Sequence, residues 1–290
     1  MTTMPASTAT VTLPSGVTLS YAESGAASAP TVVLLPGPTD SWRSYELVLD
    51  RLPASIHAIA VSQRGHGDSD KPVSGYGVKD FTADVVTALD ALGLDRVFLA
   101  GHSGSCLVAR RVAIDHPERV VGLVLEASPT TLRGNPHLTE FVESVVSSLK
   151  DPIDPAFARS FVADTSSDHL APELVDQLTI ELLKVPAHVW KEIFADLSEY
   201  DDLADIERVI APTLLVWGDW STGKCRRGSL SAYATPNCSS TTVSVTLHGG
   251  RTRPASPTTS PPSSHGRCNR EPERAGCWTP IVDRAPNDRG

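Results

Sequence analysis

The stretch Val97-Phe98-Leu99-Ala100-Gly101-His102-Ser103-Gly104-Ser105 decides the fold of this chain. A short apolar run leads into alternating glycine and serine, and a helical pattern follows from Leu107 to Ile114. This order predicts a strand, a sharp turn and a helix, in which the turn strains one residue and lifts its side chain clear of the sheet edge. The glycines keep such a turn free of Cβ clashes. We therefore predict a nucleophile elbow with Ser103 at its tip, next to helix N–H groups that favour developing negative charge.

One position of the elbow departs from the expected pattern. The pattern Gly-x-Ser-x-Gly would end in glycine where this chain has Ser105. A small residue is what close packing requires there, so we interpret the serine as a tolerated departure. The alternative is a serine in a plain strand-to-helix turn, and the flanking strand and helix patterns argue against it.

Composition excludes several classes of function. The chain has 290 residues, 40% of them hydrophobic and 20% charged, which fits a globular protein with one large α/β domain or two small ones. A net charge of −9 without a basic run before the tail argues against nucleic acid as a partner. No window approaches the roughly 18 apolar residues of a membrane span, and no secretory signal begins the chain. The expected location is the cytoplasm, and the expected partner is a small-molecule substrate.

Cysteine usage gives no sign of a metal or a disulfide framework. The chain has 5 cysteines and no C-x-x-C pair, so we expect no metal and no cofactor. Cys106 directly follows the elbow, and we interpret it as a small buried hydrophobic residue.

Strand and helix patterns alternate on both sides of the elbow. This alternation predicts βαβ units and a doubly wound, mostly parallel sheet, which is an α/β fold class. Residues 11–21 predict a hairpin around Pro14-Ser15-Gly16, with further strands at 31–35, 57–61 and 120–125 and helices at 41–52 and 78–92.

The chain divides into four segments by pattern. Residues 1–128 form the first part of the α/β core, and residues 129–207 form a helical insertion broken by prolines. Residues 208–219 return to a core strand and turn. Residues 220–290 are of low complexity, and we expect an irregular or disordered tail in which only 241–247 resembles a strand.

Several segments together resemble the α/β-hydrolase superfamily, on the serine-nucleophile, esterase/haloperoxidase-like side. The resemblance covers residues 11–219 and implies the α/β-hydrolase fold, with 129–207 as a cap over the substrate. Serine at the elbow implies ester-type acyl transfer and points away from dehalogenases and epoxide hydrolases. The matching segments, besides the elbow, are Leu34-Leu35-Pro36-Gly37-Pro38, Gln63-Arg64-Gly65-His66-Gly67-Asp68-Ser69, Asp115-His116-Pro117-Glu118-Arg119-Val120 and Pro212-Thr213-Leu214-Leu215-Val216-Trp217-Gly218-Asp219.

The resemblance implies a serine, an acid and a histidine in that chain order, with an oxyanion hole beside the serine. Ser103 matches the nucleophile, and the N–H of Gly104 matches one oxyanion donor. The second donor would come from the loop after Gly37, but Pro38 has no N–H. Either Thr39 supplies that donor, or the hole is one donor short.

The acid and the base each have more than one candidate. Where the family commonly has Gly-Asp-x-Asp, this chain has Gly218-Asp219-Trp220-Ser221, so Asp219 is one candidate acid. Glu126, at the end of the preceding strand, is the alternative, since some family members place the acid there. Among histidines, His248 in Leu247-His248-Gly249-Gly250 is the candidate base, although no apolar helix follows it.

Other histidines fit different roles. His265 lies in low-complexity sequence and ranks below His248 as a base. His102 flanks the nucleophile, and we expect it to line the pocket. His66 and His116 belong to loop motifs, where turn and packing roles are expected.

A shifted reading frame is one hypothesis for the tail. With GC-rich codons, residues 250–264 read from the third base onward can give Ala-His-Ala-Pro-Arg-Ile-Ala-Asp-Asp-Leu-Ala-Ala-Phe-Val, a histidine followed by an amphipathic helix. The same shift across 220–222 can give Val-Asp-Arg, which restores Gly-Asp-x-Asp. On this hypothesis the chain keeps Ser103 but has lost its acid and its base.

Four functions remain open. The first is hydrolysis of a small, fairly apolar ester or related acyl substrate through Ser103. Perhydrolysis or C–C bond hydrolysis would use the same site. An inactive hydrolase-like protein that only binds a ligand is another reading, supported by the missing acid and histidine motifs. A dinucleotide-binding domain is disfavoured, because no G-x-G-x-x-G loop follows the first parallel strand.

Overall fold

A computed structural model describes residues 6–166 and 170–218, together with the strand 241–246. Its core is one sheet of eight strands in the order β1-β2-β4-β3-β5-β6-β7-β8. The strands are β1 (Ser7–Thr12), β2 (Thr18–Ser24), β3 (Thr31–Leu35), β4 (His57–Val61), β5 (Val97–His102), β6 (Val120–Glu126), β7 (Thr213–Gly218) and β8 (Thr241–Thr246).

The five central strands run parallel, as the alternating pattern predicted. β4, β3, β5, β6 and β7 pair in parallel, whereas β2 is antiparallel to both β1 and β4. At the far edge, β8 pairs antiparallel with β7, with Gly218 beside Thr241 and Thr213 beside Thr246. Because β8 runs antiparallel to β7, it ends beside the first residue of β7. Its last residue therefore lies at the amino-terminal ends of the parallel strands, whereas β5 ends at their carboxyl ends.

Helices connect the parallel strands and lie on both sheet faces. The α-helices are α1 (Glu46–Leu49), α2 (Val78–Ala91), α3 (Ser105–Asp115), α4 (Pro136–Ser144), α5 (Pro155–Thr165), α6 (Pro172–Leu182) and α7 (Ala187–Glu199), and short 3-10 helices cover Trp42–Tyr45, Pro117–Arg119, Val146–Ser148 and Leu203–Arg208.

The two sheet faces bury different amounts of apolar surface. Leu35 and Leu99 point into the large core that α2 and α3 cover. Leu34 and Ala100, one residue away in each strand, point into a smaller cluster under α1, because successive strand side chains alternate between faces. Phe98, on the same face as Ala100, is 40% exposed although β5 is a central strand.

The described residues of the 129–207 insertion form four α-helices between β6 and β7. Its interior is aromatic, since Trp190 contacts Phe157, Phe161 and Phe194 at ring-centroid distances of 5.7, 5.0 and 5.6 Å. No helix in the described part of the chain is long and apolar enough to cross a membrane.

Arg110 of α3 holds both ends of this insertion. At one end its guanidinium donates to the carbonyls of Pro129 at 2.8 Å and Thr130 at 3.1 Å. At the other end it forms a two-pronged ion pair with the buried carboxylate of Asp202.

One predicted helix is shorter than expected. Instead of a continuous helix over 41–52, Trp42–Tyr45 forms a 3-10 turn and α1 covers only Glu46–Leu49. Ser41 caps the turn by accepting from the N–H of Arg43 at 3.3 Å, and the N–H of Trp42 donates to Ser62 Oγ at 3.0 Å. The first bond closes the turn itself, and the second joins the turn to the loop after β4. With these bonds in place, the segment forms a 3-10 turn where a regular α-helix was predicted.

Candidate active site

Ser103 occupies the sharp turn between β5 and α3. Its backbone has a φ of 53°, in the left-handed region that non-glycine residues seldom adopt. Its N–H donates to the carbonyl of Glu126 at 2.9 Å, and its carbonyl accepts from the N–H of Cys106 at 3.0 Å. The turn is thus fixed from both sides, and the Ser103 side chain is half-buried rather than sealed in the core.

The glycines of the turn are required by close contacts. A Cβ at Gly101 would lie 2.6 Å from the carbonyl oxygen of Ser105 and 2.9 Å from the Cα of Cys106. A Cβ at Gly104 would lie 2.7 Å from the Pro38 ring and 3.2 Å from Leu197 of α7. Strand, helix, loop and insertion therefore meet at the elbow without room for another methyl group.

The loop after β3 lies against the elbow, as the contact between Pro38 and Gly104 shows. Thr39 in this loop has a φ of 74° and is 1% exposed. Its hydroxyl has no hydrogen-bond partner among the described residues. Within that part of the chain, the N–H groups of Thr39 and Gly104 make no hydrogen bond either. The loop after β3 and the elbow, which are in contact, thus each contain a backbone N–H group that can still donate a hydrogen bond.

The three non-glycine residues with positive φ in the described chain share one location. Thr39 follows β3, Ser103 follows β5, and Ala127, with a φ of 49°, follows β6. All three therefore lie beyond the carboxyl ends of neighbouring parallel strands. Backbone strain of this kind clusters at functional sites, because only a surrounding structure built to hold it can maintain it.

Ser105, the departure from the elbow pattern, makes specific contacts. It is 3% exposed, and its hydroxyl donates to the carbonyl of Pro36 at 2.6 Å. The Gln63 side-chain amide donates to Ser105 Oγ at 3.0 Å. Ser105 therefore forms hydrogen bonds as well as filling a small space. The hydrogen bond from Gln63 was not expected from the sequence.

Glu126 lies at the end of β6, in register with His102 of β5. Its carboxylate accepts from the hydroxyl of Tyr45 at 3.3 Å. Burial raises the pKa of Glu126 to about 7, and the Tyr45 hydrogen bond opposes that rise. Near neutral pH this carboxyl group is therefore divided between its acid and its carboxylate form.

His102 and His66 take different places. His102 lies against the loop after β3, since a Cβ at Gly37 would be 2.9 Å from His102 Nδ1 and 3.2 Å from Asp40 Oδ2. His66 is buried, with Nδ1 2.8 Å from the carbonyl of Arg64, and burial lowers its pKa to about 4. His66 is consequently neutral at neutral pH and fits the packing role expected of it.

Cys106 is fully buried behind the elbow, as the sequence predicted. Its thiol donates to the carbonyl of Gly101 at 3.0 Å. Burial raises the pKa of this thiol to about 12, so it stays protonated and unreactive at neutral pH.

A cavity partly open to solvent adjoins the elbow. Its walls include Pro38 and Gly104 from the elbow region, Tyr76 and Phe81 from the segment around the start of α2, and Leu197 of α7. Gln63, His66, Ser105 and Asp196 also line this cavity, but more of its wall surface is apolar than polar.

Two predicted site residues, Asp219 and His248, lie outside the described residues. The structure thus brings together Ser103, Gly104, Pro38, Thr39, His102 and Glu126 at the carboxyl ends of β3, β5 and β6.

Known proteins share this fold and part of this sequence. A sequence profile described as alpha/beta hydrolase fold matches residues 30–184. Epoxide hydrolase B of Mycobacterium tuberculosis is 37% identical over 108 residues, which are 36% of this chain and 30% of that protein. The chain therefore matches less than a third of this curated relative's length.

Solved structures extend the likeness in fold. A hydrolase from Pseudomonas aeruginosa PA01 has a TM-score of 0.64 at 24% identity, covering 77% of this chain and 84% of its own. A bromoperoxidase from Bacillus anthracis has a TM-score of 0.64 at 22% identity, covering 73% and 82%. The family profile spans more than half of the sequence, so this chain belongs to the α/β hydrolase fold family.

Proposed function

We propose that this protein is a cofactor-free hydrolase that cleaves a small, apolar ester or related acyl substrate through Ser103. The observation that carries the proposal is the left-handed backbone of Ser103 in the turn between β5 and α3. Family membership supports the hydrolase class, and the serine at the tip of the turn supports acyl transfer.

In this mechanism the Ser103 hydroxyl attacks the substrate carbonyl and a histidine takes its proton. The tetrahedral oxyanion accepts hydrogen bonds from the N–H groups of Gly104 and Thr39. Collapse expels the alcohol, which takes the proton back from the histidine, and an acyl-Ser103 ester remains. Water then attacks that ester by the same path, releases the acid and restores the serine.

Thr39 is the second oxyanion donor in this proposal, because Pro38 has no N–H to donate. The strained φ of Thr39 and its unengaged N–H support this role. Without this donor, the reaction would be slower by roughly a hundredfold.

Glu126 is the acid for which the described residues offer support. It lies at the strand end next to the elbow, and its backbone carbonyl holds the Ser103 N–H. An ionised carboxylate is needed to stabilise a protonated histidine, so this role requires a pH above the Glu126 pKa of about 7. Asp219 remains the other candidate acid and His248 the candidate base.

The 129–207 insertion is the proposed cap over the substrate. Leu197 of α7 lies 3.2 Å from the Cβ position of Gly104, so the insertion reaches the elbow itself. The apolar walls of the adjoining cavity favour an apolar acyl or alkyl group. Perhydrolysis and C–C bond hydrolysis would use the same nucleophile and oxyanion donors, and substrate profiling separates them from ester hydrolysis.

A second candidate is a hydrolase-like protein that binds a ligand without turning it over. The sequence Gly218-Asp219-Trp220-Ser221 favours it, because a serine stands where a second carboxylate is expected. Loss of one triad member leaves only a small residual rate.

The decisive experiment combines turnover with labelling of the nucleophile. Short p-nitrophenyl esters and a fluorophosphonate probe would be applied to the wild-type chain, Ser103→Ala and the control Ser24→Ala. Ser24 is a buried serine at the end of β2, where its hydroxyl donates to the Leu49 carbonyl at 3.3 Å, and β2 is not a neighbour of β5 in the sheet. We expect turnover and labelling to be lost only in Ser103→Ala.

Two other results would point elsewhere. Labelling of Ser103 without turnover would favour the ligand-binding candidate. Turnover that persists unchanged in Ser103→Ala would remove Ser103 from the mechanism.

A further inference from the structure

Three backbone segments meet at the hydroxyl of Ser105. Ser105 is the first residue of α3, Pro36 directly follows β3, and Gln63 belongs to the loop after β4. The hydroxyl lies 2.6 Å from the Pro36 carbonyl oxygen and 3.0 Å from Gln63 Nε2. Ser105 and Gln63 are 3% and 6% exposed, so water does not compete freely for these bonds.

The direction of both bonds follows from the groups involved. An amide nitrogen can only donate, so Gln63 Nε2 gives its proton to Ser105 Oγ. The single proton of Ser105 is then directed at the Pro36 carbonyl, which can only accept. Gln63 Nε2 also lies 3.4 Å from the same carbonyl, a much longer contact. The short bond that holds Pro36 therefore depends on the serine.

This bond joins the two segments that carry the proposed oxyanion donors. Gly104 directly precedes Ser105, and Thr39 follows Pro36 by one short turn closed by the bond from the Asp40 N–H to the Gly37 carbonyl at 3.0 Å. We propose that the Ser105 hydroxyl is a positioning group that fixes the 36–39 loop against the elbow, and so sets the distance between the two donors. This inference rests on the proposed function of the elbow.

The backbone of Thr39 explains why such an anchor is needed. A φ of 74° is unfavourable for threonine, and this backbone conformation persists only where contacts with neighbouring residues hold the loop in place. Glycine at position 105, which the elbow pattern would place there, could not supply the bond to Pro36. The serine thus adds a constraint that the usual residue lacks.

The test compares Ser105→Ala, Ser105→Thr and the control Ser69→Ala. Ser69 is equally buried, and its hydroxyl donates to the Ser62 carbonyl at 2.7 Å and accepts from the Ser20 N–H at 2.8 Å, so its variant removes a buried hydroxyl that does not bind the 36–39 loop. Three quantities are measured on the full chain: the fluorophosphonate labelling constants kinact and KI, amide hydrogen exchange over residues 36–41, where the Asp40 N–H is hydrogen-bonded to the Gly37 carbonyl and reports the protection, and Tm.

We expect Ser105→Ala to lower kinact by about tenfold to a hundredfold with KI unchanged, since small displacements of a donor have large effects on rate. Exchange over 36–41 should become faster, and Ser105→Thr should restore both quantities because it keeps the hydroxyl. Ser69→Ala should lower Tm without changing either.

If Ser105→Ala only lowers Tm, as Ser69→Ala does, the positioning role is wrong. Should the wild-type chain resist labelling altogether, the proposed function fails, and hydrogen exchange alone decides the positioning role. Unchanged exchange over 36–41 in Ser105→Ala would then overturn it.

Discussion

The hydroxyl of Tyr45 donates a hydrogen bond of 3.3 Å to Oε2 of Glu126, across 81 residues of sequence. Tyr45 lies in the 3-10 turn before α1, and Glu126 ends β6. The two side chains meet on the face of the sheet that α1 covers, close to the elbow. Among the described residues, the neutral Tyr45 hydroxyl is the one hydrogen-bond donor to this largely buried carboxyl group, so the charged form of Glu126 is poorly stabilised.

The first prediction concerns the stability of Glu126→Gln. The pKa of Glu126 is about 7 in the folded protein and about 4.5 in the unfolded chain. Between these values the folded state binds more protons, so the free energy of unfolding falls as pH rises from 4.5 to 7. Glutamine keeps an acceptor for Tyr45 and removes the buried charge. We expect the variant to match the wild type at pH 4.5 and to exceed it by about 3 kcal/mol at pH 8, measured by urea denaturation.

Glu207→Gln is the matched control for this measurement. Glu207 is an exposed glutamate with no ion pair among the described residues, so its substitution should leave the pH dependence of stability as it is. A Glu126→Gln variant less stable than the wild type at pH 8 would mean that the carboxylate is held by stronger interactions than the Tyr45 bond.

The second prediction concerns the turn at Gly101. In Gly101→Ala the new methyl group would meet the backbone of Ser105 and Cys106, at 2.6 and 2.9 Å, and neither can move without shifting α3. We expect a loss of about 3 kcal/mol in the free energy of unfolding, at the upper end for overpacking. The comparison is Gly122→Ala on the neighbouring strand, where the new Cβ would lie 3.1 Å from the Phe98 ring. That ring is partly exposed and can turn away, so a loss of about 1 kcal/mol or less is expected.

The third prediction concerns the ion pair between Arg110 and Asp202. Arg110→Met would leave a 2% exposed carboxylate without its partner, and we expect a loss of about 3–5 kcal/mol in the free energy of unfolding. The double variant Arg110→Met, Asp202→Leu should recover part of that loss, because no charge remains buried. Arg208→Met, which removes an exposed pair with Asp205, should change stability by about 1 kcal/mol or less. Equal losses in the single and double Arg110 variants would show that the carbonyl bonds to Pro129 and Thr130 matter more than the ion pair.

The fourth prediction concerns the gene. If the segment after Gly218 is read out of frame, the codons for residues 250–264 must allow the shifted reading with its Ala-His-Ala-Pro start. DNA sequencing tests this directly, since many synonymous codons forbid it. A gene with the frame shifted at codon 220 should then encode a chain with higher esterase activity than the one described, measured with the same p-nitrophenyl esters. Codons incompatible with the shifted peptide would end the hypothesis.

Local patterns were sufficient to predict most of the fold. The strands at 31–35 and 57–61 have the predicted bounds, because continuous apolar runs between turn residues leave a buried parallel strand little freedom in register. The helix at 41–52 was predicted too long. Its periodicity is real, but the Ser41 hydroxyl accepts from the Arg43 N–H and the Ser62 hydroxyl accepts from the Trp42 N–H, which favours a 3-10 turn. The bond to Ser62 is a tertiary contact that no local pattern contains.

The candidate site was predictable only in part. Ser103 and Gly104 follow from the elbow pattern because the turn itself demands those residue types. The strain at Thr39 and the pairing of Tyr45 with Glu126 arise when distant segments meet, and sequence spacing carries no signal of either. At Ser105 the elbow pattern predicts only a small residue, and its hydrogen bonds to Pro36 and Gln63 join segments that are distant in sequence.

The contacts of Arg110 with both ends of the 129–207 insertion have a consequence for protein engineering. One side chain holds the chain where it leaves the α/β core after Pro129 and where it returns at Asp202. Entry and exit are therefore neighbours in space, much as the two ends of a loop are. A foreign helical segment spliced between these two points would meet the same anchor, so the whole insertion, rather than single residues, can be exchanged on this scaffold.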